Sequence, residues 1–164
     1  MRRLAGALLI TALLAGCGGD DDSTSPVRVD DIVPAIEAVE AELGAGQEFF
    51  EVNATSQLVN IFVAADGATL AVPYIYFEGE LQPPAPGLPV ESGFTFGADA
   101  VDFDEDTVLD GVSDEVPKST IEGFSIEGGD GGIVRYLVST RSAQGGVLAV
   151  TVTGDGLVLE VDPV

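Results

Sequence analysis

Residues 58–77 read LVNIFVAADGATLAVPYIYF, two apolar runs rich in β-branched and aromatic residues on either side of Asp66-Gly67. Aspartate followed by glycine supplies two adjacent positions that tolerate positive φ, as a tight turn between antiparallel strands requires, so the stretch predicts a β-hairpin. Pro73 cannot donate to a ladder, which places its strand at a sheet edge or makes it bulge. Just upstream, EFFEVN (48–53) has the same character and predicts a third antiparallel strand.

Ahead of these strands, Ile32, Ile36, Val39 and Leu43 recur at helical spacing. Asp30 and Asp31 are candidate caps, Pro34 is tolerated in a first turn and Gly44 marks the end. Glu37, Glu40 and Glu42 occupy the remaining surface, the pattern of a helix laid by one face upon a sheet.

The same order recurs further on. DTVLDGVSDEVP (106–117) offers Asp106 as a cap with Val108, Leu109, Val112 and Val116 on one face, despite the helix-weakening Gly111. Four strand-like stretches follow, IEGFSIE (121–127), IVRYLVST (133–140), GVLAVTV (146–152) and LVLEV (157–161), separated by glycine-rich turns such as GGDGG (128–132). FEVN matches FSIE, LVNIFVAA matches IVRYLVST, and LAVP matches LAVT, at offsets of about 74 to 78 residues. The expected fold is therefore α+β: a two-layer antiparallel sheet with helices on one face, built from two duplicated helix-plus-three/four-strand units. Repeat 1 covers about 29–81 and repeat 2 about 104–162 of a single domain spanning 29–164. Between them runs a proline-rich connector, 82–93, with the composition of extended polyproline geometry. By layout the unit resembles the modules of secreted PepSY domains and the tandem repeat of β-lactamase inhibitory proteins. No diagnostic motif of either family is present, so no residue roles are carried over.

Arg2 and Arg3 precede an apolar run, Leu4 to Ala15, which is too short to cross a bilayer and has the length of a secretory signal. Leu14-Ala15-Gly16-Cys17 resembles the lipobox of bacterial lipoprotein precursors. The resemblance implies cleavage of a signal peptide (1–16), diacylation of Cys17 with chains such as palmitate, and a lipid anchor on the extracytoplasmic side of the cell membrane or the outer membrane. Two acyl chains suffice for stable anchoring, since each buried methylene contributes about 0.8 kcal/mol. In a host with two membranes, Gly18 stands where an aspartate would resemble an inner-membrane retention signal, which leans towards outer-membrane sorting. Residues 17–28 then form an acidic, flexible tether.

The chain holds 28 acidic and 6 basic residues, a formal charge of −22. Removal of Arg2 and Arg3 with the leader deepens this to −24. Such a field repels phosphate backbones, so nucleic acid is excluded as a partner. With Cys17 acylated no disulfide forms, and stability rests on burial and hydrogen bonds.

Histidine is absent, and the one cysteine is committed to lipid. The usual general base, the histidine-dependent nucleophiles and zinc sites therefore drop out, and the chain is read as no enzyme. Lys118 and Ser119 sit in a turn after Pro117 and do not suggest a buried Ser-Lys dyad. Asp102, Asp104 and Asp106 resemble the start of an EF-hand calcium loop, but Thr107 stands where the loop needs glycine and Ser113 where it needs glutamate. They are kept as a weak Ca2+ site, beside the plainer reading of helix capping by Asp104 or Asp106. Phe62, Tyr74 and Tyr76 are the candidate partner-binding residues, clustering with Phe49 or Phe50 on a sheet face left bare by the helices. The expected function is a lipid-anchored, non-catalytic binding or envelope-interaction module for an unknown protein or small ligand. The alternatives are a calcium-dependent adhesion protein or scaffold, and an anchored hydrolase using two carboxylates from separate segments that converge in a pocket.

Overall fold

The structure is a computed structural model that describes residues 26–91 and 93–164. The segment expected to be a signal peptide, Cys17 and most of the expected tether lie outside these residues. A 3-10 turn, Val29–Asp31, leads into helix α1, Ile32–Leu43, and three antiparallel strands follow: β1 (Glu48–Ala54), β2 (Val59–Ala65) and β3 (Leu70–Phe77). Short strands β4 (Glu80–Leu81), β5 (Leu88–Pro89) and β6 (Phe96–Gly97) punctuate the connector. Helix α2, Glu105–Glu115, opens the second half, with β7 (Ser119–Gly128), β8 (Val134–Ser142), β9 (Val147–Val152) and β10 (Val158–Pro163). All ten strands belong to one sheet, in the order β10-β9-β8-β7-β1-β2-β3-β4, with β5 on β3 and β6 on β1.

The first long strand of each half thus meets the other in the middle, and the rest fan outwards. Across this seam Val52 pairs with Ile126, its counterpart at an offset of 74 residues. Ile61 pairs with both Val52 and Tyr74 in one half. Tyr136 pairs with both Ile126 and Val152 in the other, so offsets of 74, 75 and 78 carry the first set of pairs onto the second. The correspondence is one of topology and register.

One face of the sheet carries the core. Val52, Ile61, Phe124, Ile126, Val138 and Val150 are fully buried there, beneath Ile32, Ala35 and Val39 of α1 and Val108 and Val112 of α2. Leu43, expected on the buried face of α1, is 43% exposed, as Ala41 and Glu42 beside it are exposed, while Ala35, two turns earlier, is fully buried in the core. Asp31 sits at the N-cap without capping; its carboxylate pairs with Arg28 instead. In α2 the cap is Asp104, not Asp106, its Oδ1 accepting from the Thr107 N–H at 2.8 Å. Phe103, Phe124 and Tyr136 stack at centroid distances of 5.2 to 6.1 Å. The Tyr136 hydroxyl accepts from the Asp102 N–H and donates to the Asp102 C=O, each at 2.9 Å, which fixes the approach to α2. Among the described residues, Thr140 is the one fully buried polar side chain apart from the tyrosines, and its hydroxyl has no partner there.

The connector also closes an edge. The Gln82, Ala85 and Val90 N–H groups donate to the Ile75, Pro73 and Thr69 carbonyls, so residues 80–90 run as a proline-broken strand along β3. Pro73 is therefore one strand in from the edge rather than at it. Its carbonyl faces the connector, and so does its nitrogen, so the missing N–H takes nothing from the ladder with β2. At the other edge, a bulge between Val158 and Glu160, the acids Glu160 and Asp162, and Pro163 make β10 a poor template for further strands.

Gly111, a weak helix former in α2, has a packing reason. A Cβ there would lie 2.2 Å from the Gly156 carbonyl oxygen, and one on Gly156 would lie 2.4 Å from the Thr107 carbonyl oxygen. Helix and β9–β10 turn thus meet backbone to backbone. Alanine at 111 gains about 1 kcal/mol of helix propensity but must push backbone away, at a cost near the upper end of roughly 1–3 kcal/mol, a net loss of about 1–2 kcal/mol. We expect Gly111→Ala to lower the thermal midpoint by about 3–8 °C in a circular-dichroism melt; an unchanged or raised midpoint would show that the turn yields freely.

Candidate functional site

Side chains alternate across a strand, so the residues between the core positions of the central strands form a second face that neither helix covers. On it, Phe62 of β2, Glu51 of β1, Glu127 of β7 and Arg135 of β8 stand in one row, each opposite the next. The adjoining row holds Asn53 and Ser125, joined by a 2.7 Å hydrogen bond from the Asn53 amide to the Ser125 hydroxyl. A bulge between Phe49 and Glu51 brings the consecutive Phe50 and Glu51 onto the same, uncovered face, while Phe49 is buried against Phe96 in the core.

The connector crosses this face at the end where β1 begins. Gly93 lies against the Phe50 ring and Gly128 against the Phe94 carbonyl, where side chains at 93 and 128 would come within 3.1 and 2.3 Å. Together with the row above, Val90 and Phe94 enclose an open groove of about 360 Å3 lined by aromatic rings and charged side chains. Phe94 is 56% exposed.

The charges in the groove are unequal. Arg135 Nη2 donates to Glu127 Oε2 at 2.9 Å. Glu51 has no basic partner among the described residues. Burial, together with the neighbouring Glu127 charge, raises the Glu51 carboxyl above its ordinary value of 4.5, while the Asn53 amide opposes the rise. Like charges directly opposed on adjacent strands are destabilising, and this face keeps such a pair.

Of the expected binding residues, only Phe62 is in this groove. Tyr74 and Tyr76 are 7% and 8% exposed and belong to the core. The register explains the correction: Phe62 pairs with Pro73, so it shares a face with Pro73 and Ile75, and Tyr74 and Tyr76, at the alternate positions, point the other way. The three aromatics do not form one surface. Asp102, Asp104 and Asp106 are exposed and do not converge; among the described residues no three potential ligands are grouped to hold a metal ion. Asp104 is committed to the cap of α2. Cys17 lies outside the described residues, and no described helix is long and apolar enough to cross a membrane. Glu51, Glu127, Arg135 and Phe94 were not selected from the sequence; Phe50 was named only as a neighbour of the aromatic cluster. The available signal was Glu51 and Glu127, each next to an apolar residue of a strand (Val52 and Ile126), but only the pairing of β1 with β7 brings the two together.

No protein-family model matches the chain, and no curated protein matches it in sequence. Its architecture is similar to the crystal structure of a protein from Clostridium difficile 630 described as a "putative lipoprotein", with a TM-score of 0.55 over 79% of this chain and 90% of that one. The two are 9% identical, and the likeness is one of fold.

A raised carboxyl binds more protons in the folded than in the unfolded chain, so stability falls as pH climbs from about 4.5 through the raised value. Glutamine at this position removes that penalty. We expect Glu51→Gln to melt higher than the parent at pH 7 and equally at about pH 4. An equal or lower midpoint at pH 7 would show that Glu51 is stabilising as a charge.

Proposed function

We propose that the protein is a lipid-anchored extracytoplasmic lipoprotein that acts as a non-catalytic binding module, and that its binding surface is the uncovered sheet face. The anchor rests on the lipobox-like Leu14-Ala15-Gly16-Cys17. A single observation carries the binding reading: both helices lie on one face of the sheet, while the other keeps an aromatic groove beside an unpaired carboxylate. The polarity of the domain supports it. The Arg28 N–H donates to the Thr55 carbonyl at 2.9 Å, so the tether joins at the far end of β1 from the groove. The groove is then held away from the point of attachment.

An anchored hydrolase is the second reading, because Glu51 and Glu127 are two acids from separate segments that line one groove. We rank it second because one of the two acids, Glu127, is already committed to the Arg135 ion pair. Turnover of ester or glycoside substrates, lost in Glu51→Gln, would reverse the order.

Photocrosslinking in the producing cell tests the main reading. A benzoyl-phenylalanine in place of Phe62 is expected to give discrete adducts, and one in place of Val33, exposed on α1, none. Cys17→Ser is expected to abolish both the adduct and incorporation of a palmitate analogue. Adducts from both faces, or an acyl label that survives loss of Cys17, would overturn the reading.

A further inference from the structure

The open groove combines apolar lining, from Phe50, Phe62, Val90 and Phe94, with the acids Glu51 and Glu127 and the Arg135 that pairs with Glu127. Phe62 stands directly beside Glu51 in the cross-strand row, so the two chemistries adjoin. Arg135 satisfies Glu127 and leaves Glu51 without a cation in a half-buried position. A positive group entering beside Glu51 would separate two like charges already held close by the β1–β7 register, and it would meet phenyl faces that attract cations. The chain as a whole, at −22, concentrates cations near its surface and repels a second copy of itself.

From these features, and resting on the binding-module reading above, we infer that the groove takes an extended basic segment of a partner protein, with a lysine or arginine beside Glu51 and an apolar neighbour over Phe50, Phe62 and Phe94. A volume of about 360 Å3 accommodates a few side chains. Arg135 and Arg141 are tied to Glu127 and Glu122, so the basic groups of this face do not compete for Glu51. The raised carboxyl of Glu51 adds a pH sign: binding a cation favours its ionised form, so affinity falls as the solution is acidified.

The test is fluorescence anisotropy on the full acylated chain in phosphatidylcholine nanodiscs, with empty discs subtracted. The probe is a fluorescein-labelled heptapeptide of alternating lysine and leucine. Expected is saturable binding that weakens about tenfold or more with Glu51→Gln, with Phe62→Ala and with lysine acetylation of the probe, but less than about twofold with Asp110→Asn, an exposed charge on α2. Equal losses from Glu51→Gln and Asp110→Asn would reduce the effect to the general field and overturn the inference. So would absence of binding, undiminished binding of the acetylated peptide, or displacement by spermidine as effective as by unlabelled peptide. If the peptide fails while the Phe62 crosslink persists, the basic class of partner falls and the binding module stands; if both fail, the module falls as well.

Discussion

Backbone pairing between β1 and β7 is the constraint on which the rest of the molecule depends. It joins the first long strand of each half with Val52 opposite Ile126. Because side chains alternate, the same register that sends these two into the core sends Glu51 and Glu127 to the uncovered face. A slip of one residue in either strand would bury its glutamate and expose its apolar residues, so the hydrophobic effect that fixes the seam also fixes the carboxylate pair. The pair is thus tolerated because the alternative registers cost far more than one unfavourable contact at a half-solvated surface.

The two helices reach the sheet by different means. α1 packs through side chains, with Ile32, Ala35, Ile36 and Val39 against the first-half strands. α2, less apolar, relies on close backbone approach to the β9–β10 turn through Gly111, Gly154 and Gly156, on the Asp104 cap and on the Tyr136 hydroxyl holding Asp102. Its acids are used here, or face water. An acidic run that looks like a ligand set in one dimension is, in three, a helix entrance where negative charge is favoured by the exposed N–H groups.

The connector has a structural part beyond joining halves. Its first portion shields β3 as a broken edge strand, and its prolines keep that edge from recruiting further strands. Its second portion wraps round the end of the sheet to build one wall of the groove before Phe96 enters the core. A ten-stranded sheet carrying strong negative charge and no described disulfide needs such protection, since both its edges would otherwise be open.

The sequence by itself determined the class of fold, the order of its elements and most of the core. β-branched runs between glycine turns and a helical stripe before each set of strands reflect local periodicities that tertiary context did not override. It also determined the charge, and the lipobox-like segment lies in residues whose reading never depended on the fold. Tertiary structure alone decided which face each aromatic occupies and which acids meet. Tyr74 and Tyr76 looked like surface residues because aromatic strands serve either face equally well in sequence, and a single unit of register separates them from Phe62. Glu51 and Glu127 are 76 residues apart and become neighbours only when two strands from different halves choose each other. Pairing between distant strands is settled by burial summed over the whole sheet, a quantity that no local stretch of chain contains.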